Sequence, residues 1–362
     1  MEAKKILRFN NSNRQFYSEL KKRVDAYFKD NNISKTGNLN MYLKTAFMIS
    51  MYFIPYFLLC FNVFDSKWAW WGLAALMGLS MAGIGLCVMH DACHGSFSKN
   101  KTINTIFGYT INMLGGHATN WKIQHNVIHH TFTNVHEHDE DIAPPGFMRF
   151  EPHSKLRFIH RFQFIYAWFF YGMMTMMWTS TKDFRQIFRY NKNGHVKAAN
   201  STLSKEFFII ALSKVLYFAY MIIPFFTVPN MTFLNWVVGF LTVHYVAGFV
   251  LACIFQPAHV VADTEFPIAA DGVNLENDWA VHQLRTTMNF GTRDKIFSWL
   301  VGGLNHQVEH HLFPNICHIH YSKLSKIVKQ TAQEFNVPYH DKKTFLGALW
   351  SHEKVLYKFG RA

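Results

Sequence analysis

The chain has 362 residues, 50% apolar and 17% aromatic, with 21 histidines and a formal charge of +13 at pH 7. Such a basic excess suits nucleic acid, an anionic membrane surface or an acidic ligand, and with no recognisable nucleic-acid module the first is set aside. The five cysteines (Cys60, Cys87, Cys93, Cys253, Cys317) are scattered without a CxxC pair, which argues against a disulfide framework or zinc ribbon.

The first 40 residues are polar and basic, unlike a cleavable signal peptide. Phe16, Leu20, Val24, Tyr27 and Phe28 fall at helical spacing. They predict an amphipathic helix in an arm over residues 1–42, lying on the membrane or on the protein body. Residues 43–64 and 68–89 then form two apolar blocks, each near the roughly 20 residues that cross a bilayer. Asp65, Ser66 and Lys67 turn the first hairpin, and Trp68, Trp70 and Trp71 suit an interfacial belt beside it. Gly78 and Ala82 give a small-xxx-small spacing for close helix packing. Residues 164–178 are apolar but short, between Arg161 and Lys182, and predict an interfacial or re-entrant helix. Arg185, Arg189, Lys192 and Lys197 follow, a basic run that positive-inside topology or an anionic headgroup would explain. Residues 207–228 and 233–256 make a second hairpin, turned by Pro229, Asn230, Met231 and Thr232. Turns this short leave each pair antiparallel and adjacent.

Of 36 Lys and Arg residues, the two turns hold only Lys67. The positive-inside rule therefore places both termini and the middle stretch in the cytoplasm. The expected fold is all-α and integral to the membrane: four transmembrane helices in two hairpins, with a cytoplasmic helical cap holding a histidine-rich dimetal site. The membrane domain spans residues 43–335, and 336–362 form a cytoplasmic tail.

Three histidine clusters flank the spans. His90 and His94 follow the second span in HDACH, one helical turn apart, a metal-ligand spacing. His125, His129 and His130 stand in HNVIHH. On an α-helix His130 points about 100° away from His129, so the adjacent rings reach different metals. His306, Gln307, His310 and His311 form the third cluster, and His259 lies just past the fourth span. Eight or nine imidazoles exceed the roughly four to six ligands of one first-row metal and suit two. Imidazole alone accepts zinc, copper, iron or nickel.

HDACH, HNVIHH and QVEHHLFP resemble the three histidine boxes of the membrane fatty-acid desaturases, in order and in placement about the hairpins. The stretch from Asp278 to Lys329 resembles the front-end and linoleoyl-CoA desaturases, which commonly carry glutamine at the start of the third box. The resemblance implies two non-haem Fe ions that activate O2 as co-substrate. By box position it implies His90, His94, His125, His129, His130, His310 and His311 as ligands, with His259 in QPAHV as an eighth. The aligned third-box position falls on Gln307, while His306, one turn before His310, remains a rival ligand, an outer partner or a surface residue. Asp91, Glu309, Asp139 and Asp141 are candidates for the carboxylates that orient metal-bound imidazoles, and Gln256 for holding a metal-bound water.

The resemblance further implies desaturation of a long-chain acyl-CoA or acyl-lipid. No HPGG marks a fused cytochrome b5 domain. The expected electron source is therefore a separate ferredoxin, cytochrome b5 or reductase, and the other partners are membrane lipids, not nucleic acid. The rival within the superfamily is a di-iron alkane or lipid hydroxylase. A histidine-lined metal transporter would place its ligands inside the spans rather than beside them, and a membrane scaffold would hold no iron.

Overall fold

A computed structural model describes residues 7–10, 14–269 and 272–361. The chain gathers into two compact units. One takes the chain up to Thr36 with Gln124–Tyr166 and Ile254 onward; the other takes Gly37–Ile123 and Ala167–Cys253.

The second unit is built from long apolar helices. Leu39–Cys60, Lys67–Cys93, Leu203–Thr227 and Phe233–His259 are each long and apolar enough to cross a membrane. Their starts follow local rules. Asn38, Ser66 and Thr202 sit in extended backbone, and each side chain accepts a backbone N–H of the first turn. Asn62 and Asn230 hold left-handed backbone where the two hairpins turn. Large side chains face outward along the helices, among them Phe61, Trp68, Phe226 and Phe233, each at least two-thirds exposed. A continuous apolar exterior of this kind belongs in lipid, so the protein is integral to the membrane.

Small residues set the helix spacing. A Cβ on Gly78 would lie 2.5 Å from the Val243 carbonyl oxygen, so the second and fourth spans touch backbone to backbone there. The apolar stretch expected over 164–178 is two short helices, Gln163–Tyr171 and Met174–Thr179. The longer rises only about 14 Å, against roughly 30 Å of hydrocarbon. The break between them lies on Gly248 of the fourth span, where a Cβ would meet the Gly172 carbonyl at 2.7 Å. His244, in the same span, accepts or donates with Tyr217 Oη at 2.5 Å and Thr175 Oγ1 at 3.1 Å, tying three segments together. Lys214 reaches Asp183 Oδ2 at 2.8 Å and the carbonyls of Gly115 and Trp178, so this buried ammonium is paired.

The first unit is short helices around an apolar core. The N-terminal helix Arg14–Asp30 buries Phe16, Leu20, Val24 and Phe28 against Ala280, Val281, Leu284, Val308 and Leu312. Of the two readings of this amphipathic helix, the structure takes packing on the body. Val308 and Leu312 belong to the helix Gln307–Leu312, so this core is also the bed of the third histidine cluster. Two parallel two-residue ladders complete the unit, Arg8–Phe9 with Asn274–Leu275 and Asn289–Phe290 with Asp341–Lys342. Leu20 is fully buried. Leu20→Ala is expected to cost about 2–5 kcal/mol by leaving a cavity, seen as a lowered thermal midpoint in detergent; an unchanged midpoint would remove this core from the account.

Candidate metal centre

The helices that carry the histidines are locally widened. Within Lys67–Cys93, residues Ile84–Met89 form a π-helical turn, and the His90 N–H bonds the Gly85 carbonyl, five residues back. Ala118–Lys122 likewise passes into a π-helical stretch, Ile123–His129. The second box therefore does not ride on the plain α-helix assumed from its spacing. Such widened turns are rare and concentrate at functional sites. The His125 and His129 rings still stack, 5.3 Å apart and tilted by 23°.

In the first unit six histidines converge. The Nε2 atoms of His125, His130 and His310 form a triangle with sides of 3.2, 2.9 and 3.4 Å. Three ring nitrogens this close cannot all be satisfied by protons shared among themselves, because a neutral imidazole carries a single N–H. Around one ion with metal–nitrogen bonds of about 2.1 Å, neighbouring ligand nitrogens lie about 3.0–3.4 Å apart. His129, His259 and His311 form a second group whose ligand atoms lie within 4.8 Å of one another, and His130, His310 and His311 form an overlapping one. The adjacent residues His129 and His130 thus fall in different groups. All six rings are at least nine-tenths buried.

The outward-facing nitrogens explain why the Nε2 atoms face inward. His129 donates from Nδ1 to Asp139 Oδ2 at 2.9 Å, and His311 from Nδ1 to Gln283 Oε1 at 2.9 Å. His310 Nδ1 meets Tyr321 Oη at 3.2 Å, and His259 Nδ1 donates to the Thr286 carbonyl at 3.3 Å. His125 Nδ1 lies 3.7 Å from Asp141 Oδ2. A bond at Nδ1 fixes the tautomer and turns Nε2 toward the site as the ligand atom. The Nε2 of His259 has no hydrogen-bond partner among the described residues. The donor set fits a pair of imidazole-bound metal ions.

Charge follows the same geometry. Burial presses the His129 imidazole toward its neutral form, but Asp139 and Asp141 outweigh it and raise its pKa to about 9 in the metal-free chain. Burial alone would raise the Asp141 carboxyl, yet His129 and His125 hold it well below the usual carboxylate range.

Asn134 ties the site together. It holds left-handed backbone at the end of the second-box helix. Its N–H donates to Asp139 Oδ2 at 2.8 Å, and its Nδ2 donates to the carbonyls of His259 and Glu265 at 2.9 and 3.0 Å. Trp279 Nε1 bonds the His130 carbonyl at 3.0 Å. Neither residue stands out in the sequence, although an asparagine just past a helix is a left-handed cap signal.

The other expected residues are placed as follows. In the second unit the His90 and His94 rings lie 4.7 Å apart, both edge-on to Trp121. Asp91 Oδ1 is 3.6 Å from His90 Nδ1. In the first unit His306 precedes the helix Gln307–Leu312 instead of lying within it. Its buried ring is 3.7 Å from Glu309 Oε2, outside the converging groups. Gln307 donates from Nε2 to the Leu304 carbonyl at 2.7 Å. Glu309 accepts from Asn289 Nδ2 at 2.8 Å and Tyr339 Oη at 3.0 Å, so it braces the third-box helix and orients none of the six converging rings. Gln256 contributes its carbonyl to Val260 N–H at 2.8 Å.

The comparisons with known proteins agree with this chemistry. Residues 66–343 match the fatty acid desaturase family. The chain is 33% identical to the sn-1 linoleoyl-lipid 6-desaturase of Arthrospira platensis, over 95% of this chain and 92% of that protein. It is 34% identical to the enzyme of the same name from Synechocystis, over 96% of both. It is 36% identical to the acyl-lipid (8-3)-desaturase of Physcomitrium patens, over 96% of this chain and 72% of that protein. The buried imidazoles, the four apolar helices and the near full-length match converge on one assignment: the chain belongs to the fatty acid desaturase family and is an oxidoreductase of that class.

Proposed function

We propose that this desaturase inserts a double bond into a long-chain acyl group carried on a membrane lipid, between an existing double bond and the carboxyl end. The relatives named for linoleoyl-lipid and acyl-lipid substrates support the lipid carrier. The observation that carries the metal reading is the Nε2 triangle of His125, His130 and His310. His125, His129, His130, His259, His310 and His311 would hold a pair of non-haem irons, with His90 and His94 added from their box positions. The iron pair, when bound, supplies the oxidising power drawn from O2 that removes hydrogen from an unactivated methylene.

The chain's own residues do the positioning. Asp139, Gln283, Tyr321 and the Thr286 carbonyl hold four ring Nδ1 atoms outward, so the ligand nitrogens are set before metal arrives. Deep burial of the rings keeps bulk water from the reacting carbons. A ferredoxin, cytochrome b5 or reductase supplies the electrons. Both termini and the histidines face the cytoplasm, supported by the scarcity of basic residues in the two turns.

Expression in a host lacking polyunsaturated lipids, fed linoleic acid, tests the reading by mass spectrometry of the lipid acyl chains. The expected product is two hydrogens lighter than the substrate, with the new bond on the carboxyl side. A product heavier by one oxygen would mark a hydroxylase and overturn it.

A further inference from the structure

The helix Lys182–Lys192 is sharply two-faced. Asp183, Gln186, Ile187 and Tyr190, spaced i, i+3, i+4, i+7, are buried. Arg185, Phe188, Arg189 and Lys192, with the same spacing, are exposed, and Phe188 is 52% open. Lys197 adds a further exposed charge on the next short helix, His195–Ala198. The only acid in this helix, Asp183, turns inward to Lys214. The outer face therefore carries cations and an aromatic ring with no carboxylate of its own.

Its neighbours show where that face lies. The Phe184 and Phe188 rings pack on Phe207, at 5.2 and 5.9 Å. Phe207 and Phe208 are 42% and 65% exposed in the first turns of the candidate span Leu203–Thr227. The basic stripe thus stands beside the end of a lipid-facing apolar helix, at the level where hydrocarbon gives way to headgroups.

We propose that this stripe is an interfacial binding surface for anionic phospholipid headgroups. Positive-inside topology needs a count of cations in a segment. It does not need them aligned on one face around an exposed phenylalanine. Alignment with an aromatic ring is what the interface selects, the ring entering the acyl boundary while the cations meet phosphate. From Arg185 to Lys192 the stripe runs about 10 Å along the helix. It is a convex helix face, not a cradle, which suits a surface of headgroups over a soluble phosphate compound such as coenzyme A. This inference does not depend on the substrate of the desaturase reaction.

The test uses the full chain in nanodiscs of equimolar phosphatidylglycerol and phosphatidylcholine, with the lipids retained after detergent exchange counted by mass spectrometry. The wild type is expected to retain phosphatidylglycerol preferentially. R185Q/R189Q/K192Q is expected to lose that preference, by roughly five-fold per cation at low salt, while R185K/R189K keeps it. Raising sodium chloride to 0.5 M should weaken retention in the wild type. Equal retention of the two lipids by the wild type, a preference unmoved by salt, or displacement of phosphatidylglycerol by coenzyme A would each overturn the proposal, whether or not the triple variant folds.

Discussion

His310→Ala is expected to abolish desaturation and to lower the iron content of the purified protein. His310 Nε2 belongs to the triangle with His125 and His130, and its ring is fully buried. Loss of an outer partner alone typically costs 10–100-fold in metal affinity or activity, so loss of the ligand itself should exceed about a hundredfold. The alanine leaves a space in a helix otherwise held by Val308 and Leu312, so circular dichroism should still report a folded chain. Elemental analysis of iron per chain and product analysis are read together. Full activity with a normal iron content would remove His310 from the centre and with it the triangle argument.

Asp139→Ala carries the second-largest expected effect, through a residue that touches no metal. Its carboxylate accepts from His129 Nδ1, from the Asn134 N–H and from the Asp141 N–H, all between 2.8 and 2.9 Å. Removing it frees the His129 ring to rotate, so iron affinity should fall about 10–100-fold. Backbone donors left without an acceptor add about 1–3 kcal/mol of destabilisation each where they remain buried. The pH dependence separates this role from simple packing. In the metal-free wild type His129 has a pKa raised from 6.5 to about 9. A raised folded-state value stabilises fully below about 6.5, and that contribution disappears as pH climbs through about 9. The metal-free wild type should therefore lose stability across that window, and the alanine variant should lose much less. Equal pH profiles for the two proteins would show that Asp139 does not act through His129.

The histidines were legible because three features coincided: one-turn spacing, position at span ends, and paired rings able to serve two ions. Each survives a change of helix type, which is why the six first-unit rings meet although the second box lies on a π-helical stretch. The outer partners were legible only in part. Asp139 and Asp141 stand close behind the second box, which marks them as candidates. Gln283, Thr286 and Tyr321 are ordinary polar residues in a helix, at a helix end and at a helix start, and only folding brings them to the rings. Box position favours Gln307, while the case for His306 rests on its one-turn spacing to His310, yet the helix begins at Gln307. A one-turn rule has no force on a residue that lies outside the helix. The two short helices at Gln163–Tyr171 and Met174–Thr179 were hidden for another reason. An unbroken apolar run does not show where a facing glycine, here Gly248, will receive the break.

The widened turn at Ile84–Met89 acts as a phase shifter. A helix that crosses a bilayer is committed to one rotational setting by the residues it must show to lipid and to its neighbours, as Gly78 is committed to Val243. That setting would also dictate the direction of His90 and His94 if the winding stayed uniform. Accommodating one more residue in a single turn decouples the two ends, so each can be selected for its own surroundings. Were the same residues wound uniformly as α-helix, the HDACH segment would swing by about 100° with every amino acid of that motif in place. Deleting one residue between Ile84 and Met89 would also restore uniform winding, yet leave the motif close to its present direction.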